Sequence, residues 1–348
     1  MAGTGRRRSS GVQVKGWPRQ ASRSQSFRRY LCRSHTHTDK QENMKMSAGK
    51  EAIGFIGVGL MGQGMAANLV AKGFPLTVMG HRNRKPVEDL VAAGAVEAKT
   101  PAELAARSGI IFLCVTGSAQ VEEVLKGESG IIAGAKPGTI VVDCSTSDPT
   151  VTVRLAAELE AKGLHLADAP LGGTPAQAAQ GQLSAMIGAA PEVFARIRPA
   201  CEAWAQKIVH LGPVGDGHKM KLINNFLSMG YAAIYAEALT LSQKIGITPQ
   251  TFDSVIRGSR MDCGFYQTFM QYVLERDRDA HKFTLVNALK DVRYLEGVAN
   301  AAGVANPIGN AVKNSYANAV ASGRGGDYVP MISDWIAELN GVSLAAKG

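Results

Sequence analysis

The chain predicts an α/β domain, a parallel sheet covered by helices, followed by an all-α domain. Two observations carry this. Short apolar runs alternate with helical stretches from residue 51 to about 213, which is the pattern of strands joined by crossover helices. After Gly212 the alternation stops, and residues 217–245 hold no proline and only Gly230 between Gly217 and Gly246. That segment reads as one long helix, apolar nearly all round and so buried between domains or subunits.

In order, IGFIGV (53–58) is a first strand, and GLMGQGMAANLVAKG is a helix closed by Gly73. PLTVMG (75–80) is a second strand, and a helix opens at Pro86 and ends at Gly94. SGIIFLCVT (108–116), TIVVDCST (139–146) and LHLADAPL (164–171) are three further strands, with a helix started by Asp148 and Pro149 over 150–162. LSAMIGA (183–189) and KIVHLG (207–212) continue the sheet. Beyond the long helix, Thr248–Pro249 caps and opens another, and helices are expected near 265–276, 284–302, 306–322 and 328–340.

Three segments are thus expected: a leader over 1–50, the α/β domain over 51–213 and the helical domain over 214–348. The formal net charge of +9 is a property of the leader. Residues 1–50 carry 12 Lys+Arg against 2 Asp+Glu, whereas the rest of the chain carries 26 against 27. A neutral body gives no argument for a nucleic-acid face. The leader is Arg- and Ser-rich without the apolar run of a secretory signal, and Gly11, Gly16 and Pro18 interrupt any amphipathic helix in it. It reads as a disordered basic leader or an over-extended start, with the protein cytoplasmic; a transit peptide to the mitochondrial matrix is the alternative. No apolar run reaches membrane-spanning length. The cysteines Cys32, Cys114, Cys144, Cys201 and Cys263 are scattered, which implies a reducing compartment and no structural metal.

Gly57, Gly59 and Gly62 form G-x-G-x-x-G between a strand and a helix. The first permits a tight turn, the second lets backbone approach a pyrophosphate, and the third lets helix pack on strand. In that setting the motif is the fingerprint of a Rossmann-type dinucleotide-binding domain, with Gly57, Val58, Gly59, Leu60, Met61 and Gly62 at the cofactor. The end of the second strand, Gly80-His81-Arg82-Asn83-Arg84-Lys85, lacks the carboxylate that reads a ribose 2′-hydroxyl and offers three fixed cations. This favours NADP, with Arg82 on the 2′-phosphate and NAD as the alternative.

GDGHKMKLINN (215–225) opens the long helix. Lys221 and Asn225 are four apart and share a face, with Asn224 near its edge. A partly desolvated lysine favours its neutral form, which fits it for proton exchange with an alcohol oxygen. In DAPLGGTPAQAAQGQL (168–183), Gly172, Gly173 and Thr174 offer unhindered N–H groups and a hydroxyl, a cradle for a carboxylate or simply a turn joining two halves.

These motifs resemble those of the β-hydroxyacid dehydrogenase family, which includes 3-hydroxyisobutyrate dehydrogenases and tartronate semialdehyde reductases. The resemblance spans about 52–340. It implies a helical C-terminal domain of the 6-phosphogluconate dehydrogenase type and a homodimer or homotetramer. It makes Lys221 the general acid/base and Asn225 its substrate-orienting partner. DCST (143–146) resembles the segment whose Thr146 lines the cofactor site beside Val115, and LKDVRYL (289–295) the one whose Lys290 reaches the cofactor. In the family the substrate loop reads Asp-x-Pro-x-Ser-Gly-Gly, with the serine on the substrate carboxylate. Here Gly172 holds the serine position and Thr174 replaces the last glycine. The sulfolactaldehyde reductase branch also has glycine at the serine position, but an arginine where Gly173 stands. Arg260, in GSRMDCGF, is a candidate cation for an acidic substrate.

The expectation is an NAD(P)-dependent oxidoreductase interconverting a small β-hydroxyacid and its semialdehyde. Succinic or glyoxylic semialdehyde and sulfolactaldehyde reductases are alternatives within the family, and a catalytically inactive dinucleotide-binding scaffold is the alternative outside enzymes.

Overall fold

The structure is a computed structural model that describes residues 49–80 and 82–345. The expectations for the leader, Cys32 and His81 therefore lie outside the described residues.

The α/β part is built on a nine-stranded sheet. Strands β1 (Ile53–Ile56), β2 (Leu76–Met79), β3 (Val96–Ala98), β4 (Ile110–Leu113), β5 (Ile140–Asp143) and β6 (His165–Asp168) are parallel, in the order β3-β2-β1-β4-β5-β6. The central strands are buried on both faces, as crossover helices require. On one face Phe55, Phe112 and Val142 join Trp204, whose ring meets Phe112 edge-on at 5.9 Å. On the other, Ile56, Ile111, Leu113 and Val141 pack with Leu155 and Leu159.

Beyond β6 the sheet departs from an all-parallel reading. β7 (Leu171–Gly172) and β6 pair antiparallel with β8 (Leu183–Gly188), and β9 (Ala205–Gly212) runs parallel to β8. β3 was not expected, because three residues on a sheet edge leave no apolar run to read, and the strand expected over 164–171 ends at Asp168, with Leu171 in the separate two-residue β7.

Helix α1 (Gly62–Ala71) follows β1, α2 (Lys85–Ala92) follows β2, and α3 (Pro101–Ala106) follows β3. α4 (Ser118–Lys126) and the short α5 (Ile131–Gly134) follow β4, and α6 (Pro149–Glu160) follows β5. α7 (Pro175–Ala179) and α8 (Pro191–Cys201) flank β8. Asp148 accepts from Thr150 N, so α6 starts at the predicted cap.

The helical part opens with α9 (Asp216–Lys244), followed by α10 (Pro249–Ile256), α11 (Gly264–Glu275), α12 (Leu285–Ala301), α13 (Pro307–Ala319) and α14 (Ile332–Leu339). α9 buries Leu222, Met229, Ala232, Ala236 and Leu239, and from Met229 on this face joins Phe269, Tyr266 and Tyr316 in the helical core. Its other face leaves Ile223, Leu227, Tyr231, Ile234, Leu241 and Ile245 exposed. No helix among the described residues is long and apolar enough to cross a membrane.

Candidate active site

The glycines of the turn between β1 and α1 are each required for a different reason. Gly57 has φ +99°, and a Cβ there would lie 2.2 Å from the Cys114 carbonyl oxygen. A Cβ on Gly62 would lie 2.0 Å from the Gly57 carbonyl oxygen, so only glycine lets α1 start against the turn. A Cβ on Gly59 would meet nothing within 4 Å, which leaves space beside that backbone for a ligand. Met61 at the N-cap gives no side-chain cap; Gln63 N donates to the Gly59 carbonyl at 3.0 Å, and the helix N-terminus presents its partial positive charge to an anion. Val58 is buried beneath the turn and Leu60 stands exposed above it. This is a cradle that fits a dinucleotide pyrophosphate.

Beside it, Val115 N donates to Ser145 Oγ at 3.0 Å, tying the end of β4 to the loop after β5. Lys290 Nζ, from α12, donates to the Thr146 carbonyl at 2.6 Å and lies 2.8 Å from Asp291 Oδ1. Lys290 is thus brought to Thr146, and Val115 to the neighbouring Ser145. A Cβ on Gly117 would come 3.2 Å from Lys290 Nζ, so this glycine keeps the lysine's path clear.

The loop after β2 divides its cations. Arg84 forms a two-bond pair with Glu97 of β3, both contacts at 2.8 Å, and Lys85 pairs with Asp89. Arg82 is exposed and has no ion pair among the described residues.

The start of α9 is locked onto the sheet by buried polar groups that sequence reasoning did not find. Asp168, at the end of β6, accepts from Gly215 N and His218 N, each at 2.6 Å, and so satisfies two orphan donors of the helix. Burial pushes the Asp168 carboxyl up, with nearby His218 and these amides pulling the other way. His218 is fully buried, with Nδ1 at 2.8 Å from Thr152 Oγ1 and Nε2 at 3.2 Å from the Ser145 carbonyl. A carbonyl only accepts, so Nε2 carries a proton. Asp143 Oδ2 lies 3.7 Å from this imidazole. The result is a buried bridge from the Ser145–Thr146 loop to the helix one turn before Lys221.

Lys221 is half-buried and donates from Nζ to the Leu171 carbonyl at 2.6 Å, which brings the helix motif and the Gly172 loop together. Burial lowers its pKa; Asp291 works against this shift and Lys290 adds to it. Asn225 is buried, but its amide is turned to Asp291, donating to Oδ2 at 2.6 Å. Asn224 is exposed and no described contact ties it to Lys221. His281 stands edge-on to Phe265 and Phe283, with centroids at 5.5 and 6.4 Å; burial first and the Lys221 charge second lower its pKa. Nothing in its sequence context marked it.

Gly173 has φ +127°, where an arginine would be strained. Thr174 caps α7: its Oγ1 accepts from Gln177 N, and its own N–H donates to Gln177 Oε1 at 2.9 Å. Both of its polar groups are therefore engaged within the loop. Asn68 of α1 holds α7 from below, donating to the Ala178 carbonyl at 2.9 Å. Arg260 is exposed, and no described hydrogen bond or ion pair joins it to these residues.

A strand–turn–helix dinucleotide cradle, together with a partly desolvated lysine on the long helix that follows the sheet, defines a nicotinamide-dependent oxidoreductase. Comparison with known proteins agrees. Residues 52–212 match the family described as the NAD binding domain of 6-phosphogluconate dehydrogenase. Residues 215–333 match that described as NAD-binding of NADP-dependent 3-hydroxyisobutyrate dehydrogenase. The chain is 34% identical over 296 residues to 3-sulfolactaldehyde reductase of Escherichia coli K12, covering 85% of this chain and 97% of the reductase. It is 33% identical over 222 residues to the mitochondrial 3-hydroxyisobutyrate dehydrogenase of Mus musculus, covering 64% and 66%. A solved 3-hydroxyisobutyrate dehydrogenase from Salmonella typhimurium superposes with TM-score 0.74 at 26% identity, covering 82% of this chain and 99% of that one. The chain belongs to the β-hydroxyacid dehydrogenase family, and it is an NAD(P)-dependent oxidoreductase acting on hydroxyacids.

Proposed function

We propose that the protein interconverts a small 3-hydroxyacid and its semialdehyde with a preference for NADP, and that Lys221 is the proton-transferring group. The observation that carries this is the ammonium of Lys221, half-buried at the Leu171 carbonyl between the Gly172 loop and the Lys290–Asp291 pair. A nicotinamide held beside Lys221 would supply the hydride acceptor in oxidation and the hydride donor in reduction. Gly57, Val58, Gly59, Leu60, Met61 and Gly62 hold the pyrophosphate, with Val115, Thr146 and Lys290 beside it. Burial holds Lys221 closer to its neutral form, so it takes the hydroxyl proton in oxidation and returns it in reduction.

Asn225 acts through its amide oxygen. Its Nδ2 is committed to the Asp291 carboxylate, which leaves Oδ1 as an acceptor for the substrate hydroxyl or for Lys221. The backbone of Gly172 and Gly173, with Asn224 at the rim, receives the acid group. Thr174 contributes by capping α7 and fixing the loop. Arg82 is the proposed reader of the 2′-phosphate, supported by the engagement of Arg84 and Lys85 elsewhere.

The division at 213/214 separates a cofactor domain from a substrate and assembly domain. The exposed apolar stripe of α9 repeats at intervals of three, four and seven residues, the signature of a packed helix face. It supports a homodimer or homotetramer in which a second copy covers this face. Free thiols at Cys114, Cys144 and Cys201 support a reducing compartment, the cytoplasm.

The test is NADPH and NADH oxidation by the full chain against a panel of small semialdehydes, with Lys221→Ala in parallel. Turnover that collapses in the variant while cofactor binding persists is the expected result. No consumption of either cofactor with any member of the panel, with both still bound, overturns the reading.

A further inference from the structure

Where a family serine would stand, Gly172 leaves a space, and that space is filled from across the sheet. A Cβ built on Gly172 would lie 2.4 Å from Ser184 Oγ. The two residues face each other in the antiparallel β7–β8 pair, where opposed side chains project to the same side of the sheet. Alternation along β8 buries Leu183, Ala185 and Ile187 in the core, so Ser184 and Met186 lie on the opposite face. The start of α9 packs close against β8 here, since a Cβ on Gly217 would meet the Met186 carbonyl at 2.4 Å. A register shift between Leu183 and Ser184 against β9 breaks the regular ladder at this residue, a device that re-aims side chains beside sites.

We infer that Ser184 supplies the side-chain hydroxyl that grips the acid group of the substrate, and that Gly172 is glycine because Ser184 occupies its side-chain space. Ser184 is half-buried, and its one described hydrogen bond, to the Gly172 carbonyl, is long at 3.3 Å. A hydroxyl has one proton to donate, so Ser184 meets a substrate carboxylate by giving up this long bond to the Gly172 carbonyl. The neighbouring carbonyl, that of Leu171, receives the Lys221 ammonium at 2.6 Å, which sets Ser184 at the loop where proton transfer is proposed. The other hydroxyl of the loop, Thr174, both donates to Gln177 Oε1 and accepts from Gln177 N as the cap of α7, whereas Ser184 has the one long bond.

This inference rests on the 3-hydroxyacid reading, and the test separates the two. With whichever 3-hydroxyacid of a panel that includes 3-hydroxyisobutyrate the wild type oxidises best, kcat and KM are compared for wild type, Ser184→Ala, Gly172→Ser and the double variant. A panel that the wild type does not oxidise at all sinks the underlying reading itself. Losing a hydrogen bond to a charged group should raise KM in Ser184→Ala roughly 10-fold or more with kcat little changed. Gly172→Ser alone should also bind poorly, because its Cβ collides with Ser184 Oγ. The double variant, with the hydroxyl moved to the other strand, should recover most of the lost affinity. Oxidation of 2-methyl-1,3-propanediol, which lacks the acid group, should be indifferent to Ser184→Ala. An unchanged KM in Ser184→Ala, an equal loss with the diol, or a double variant no better than Gly172→Ser overturns the assignment.

Discussion

Asn225 Nδ2 donates to Asp291 Oδ2 at 2.6 Å, and the same carboxylate lies 2.8 Å from Lys290 Nζ. One buried aspartate therefore joins the catalytic helix to the lysine proposed to meet the cofactor. Asp291 also favours the charged form of Lys221. Asp291→Asn should then lower the Lys221 pKa further and shift the pH profile of hydroxyacid oxidation toward acid. Loss of a charged partner for Asn225 and Lys290 should cost about 1–3 kcal/mol of stability, read as a lower thermal midpoint. A profile that stays in place would mean that this carboxylate does not act on Lys221.

Lys221 sets the sign of the pH dependence. Its folded pKa lies below 10.5, and oxidation uses the neutral amine, which accumulates as pH rises through that pKa. The rate of hydroxyacid oxidation should climb with pH along a limb below the usual lysine range and then level off. Reduction uses the ammonium and should fall over the same range. Lys221→Ala should abolish both limbs and lower kcat about 10²–10⁴-fold. Initial rates in both directions from neutral to alkaline pH test this.

The turn glycines separate binding from stability. Gly59→Ala adds a methyl group where the protein has nothing within 4 Å, so stability should hold. Cofactor affinity should still fall by roughly tenfold, about 1.4 kcal/mol, because the methyl stands between backbone and pyrophosphate. Gly62→Ala meets the Gly57 carbonyl and should lose cofactor affinity and about 1–3 kcal/mol of stability together. Cofactor titration and thermal unfolding of both variants distinguish the cases.

Cofactor choice should depend on Arg82 and, indirectly, on Glu97. Arg82→Ala should cut the NADP-over-NAD preference about tenfold or more, the value of a charge-assisted hydrogen bond. Glu97→Gln should raise that preference by releasing Arg84 toward the loop, at little cost in stability because the pair is exposed. Ratios of kcat/KM for the two cofactors read both effects.

Ile234 is 60% exposed in the middle of the α9 stripe. Ile234→Glu should shift the protein toward monomer in light scattering while leaving the fold intact by circular dichroism. A wild type that is monomeric at micromolar concentration would refute the proposed interface.

How much of this was written in the sequence depends on the range of the physics. The cofactor turn is legible because its main causes are local: Gly57 sits at positive φ and Gly62 faces the Gly57 carbonyl of the same strand–turn–helix unit, whereas the Cys114 carbonyl beside Gly57 comes from the end of β4. Lys221 and Asn225 are legible as one helix face because four residues make about one turn. The switch from α/β to all-α at Gly212 shows in the apolar period alone. Local patterning, however, is silent on partners. Asn225 meets Asp291 66 positions on, Lys221 the carbonyl of a residue 50 positions back, and Lys290 a carbonyl 144 positions back. The antiparallel turn of β8, the brief β7 and the buried His218 bridge arise from strands meeting edge to edge, which no period encodes. The sequence by itself determined the cofactor turn, the order of the longer strands and helices, and the place of the lysine on its helix. Only the tertiary structure decided that Ser184 fills the space beside Gly172, that Thr174 is engaged as a cap and that Arg82 alone of the loop's arginines stands without an ion pair among the described residues, because each depends on which side chains long-range packing brings within bonding distance.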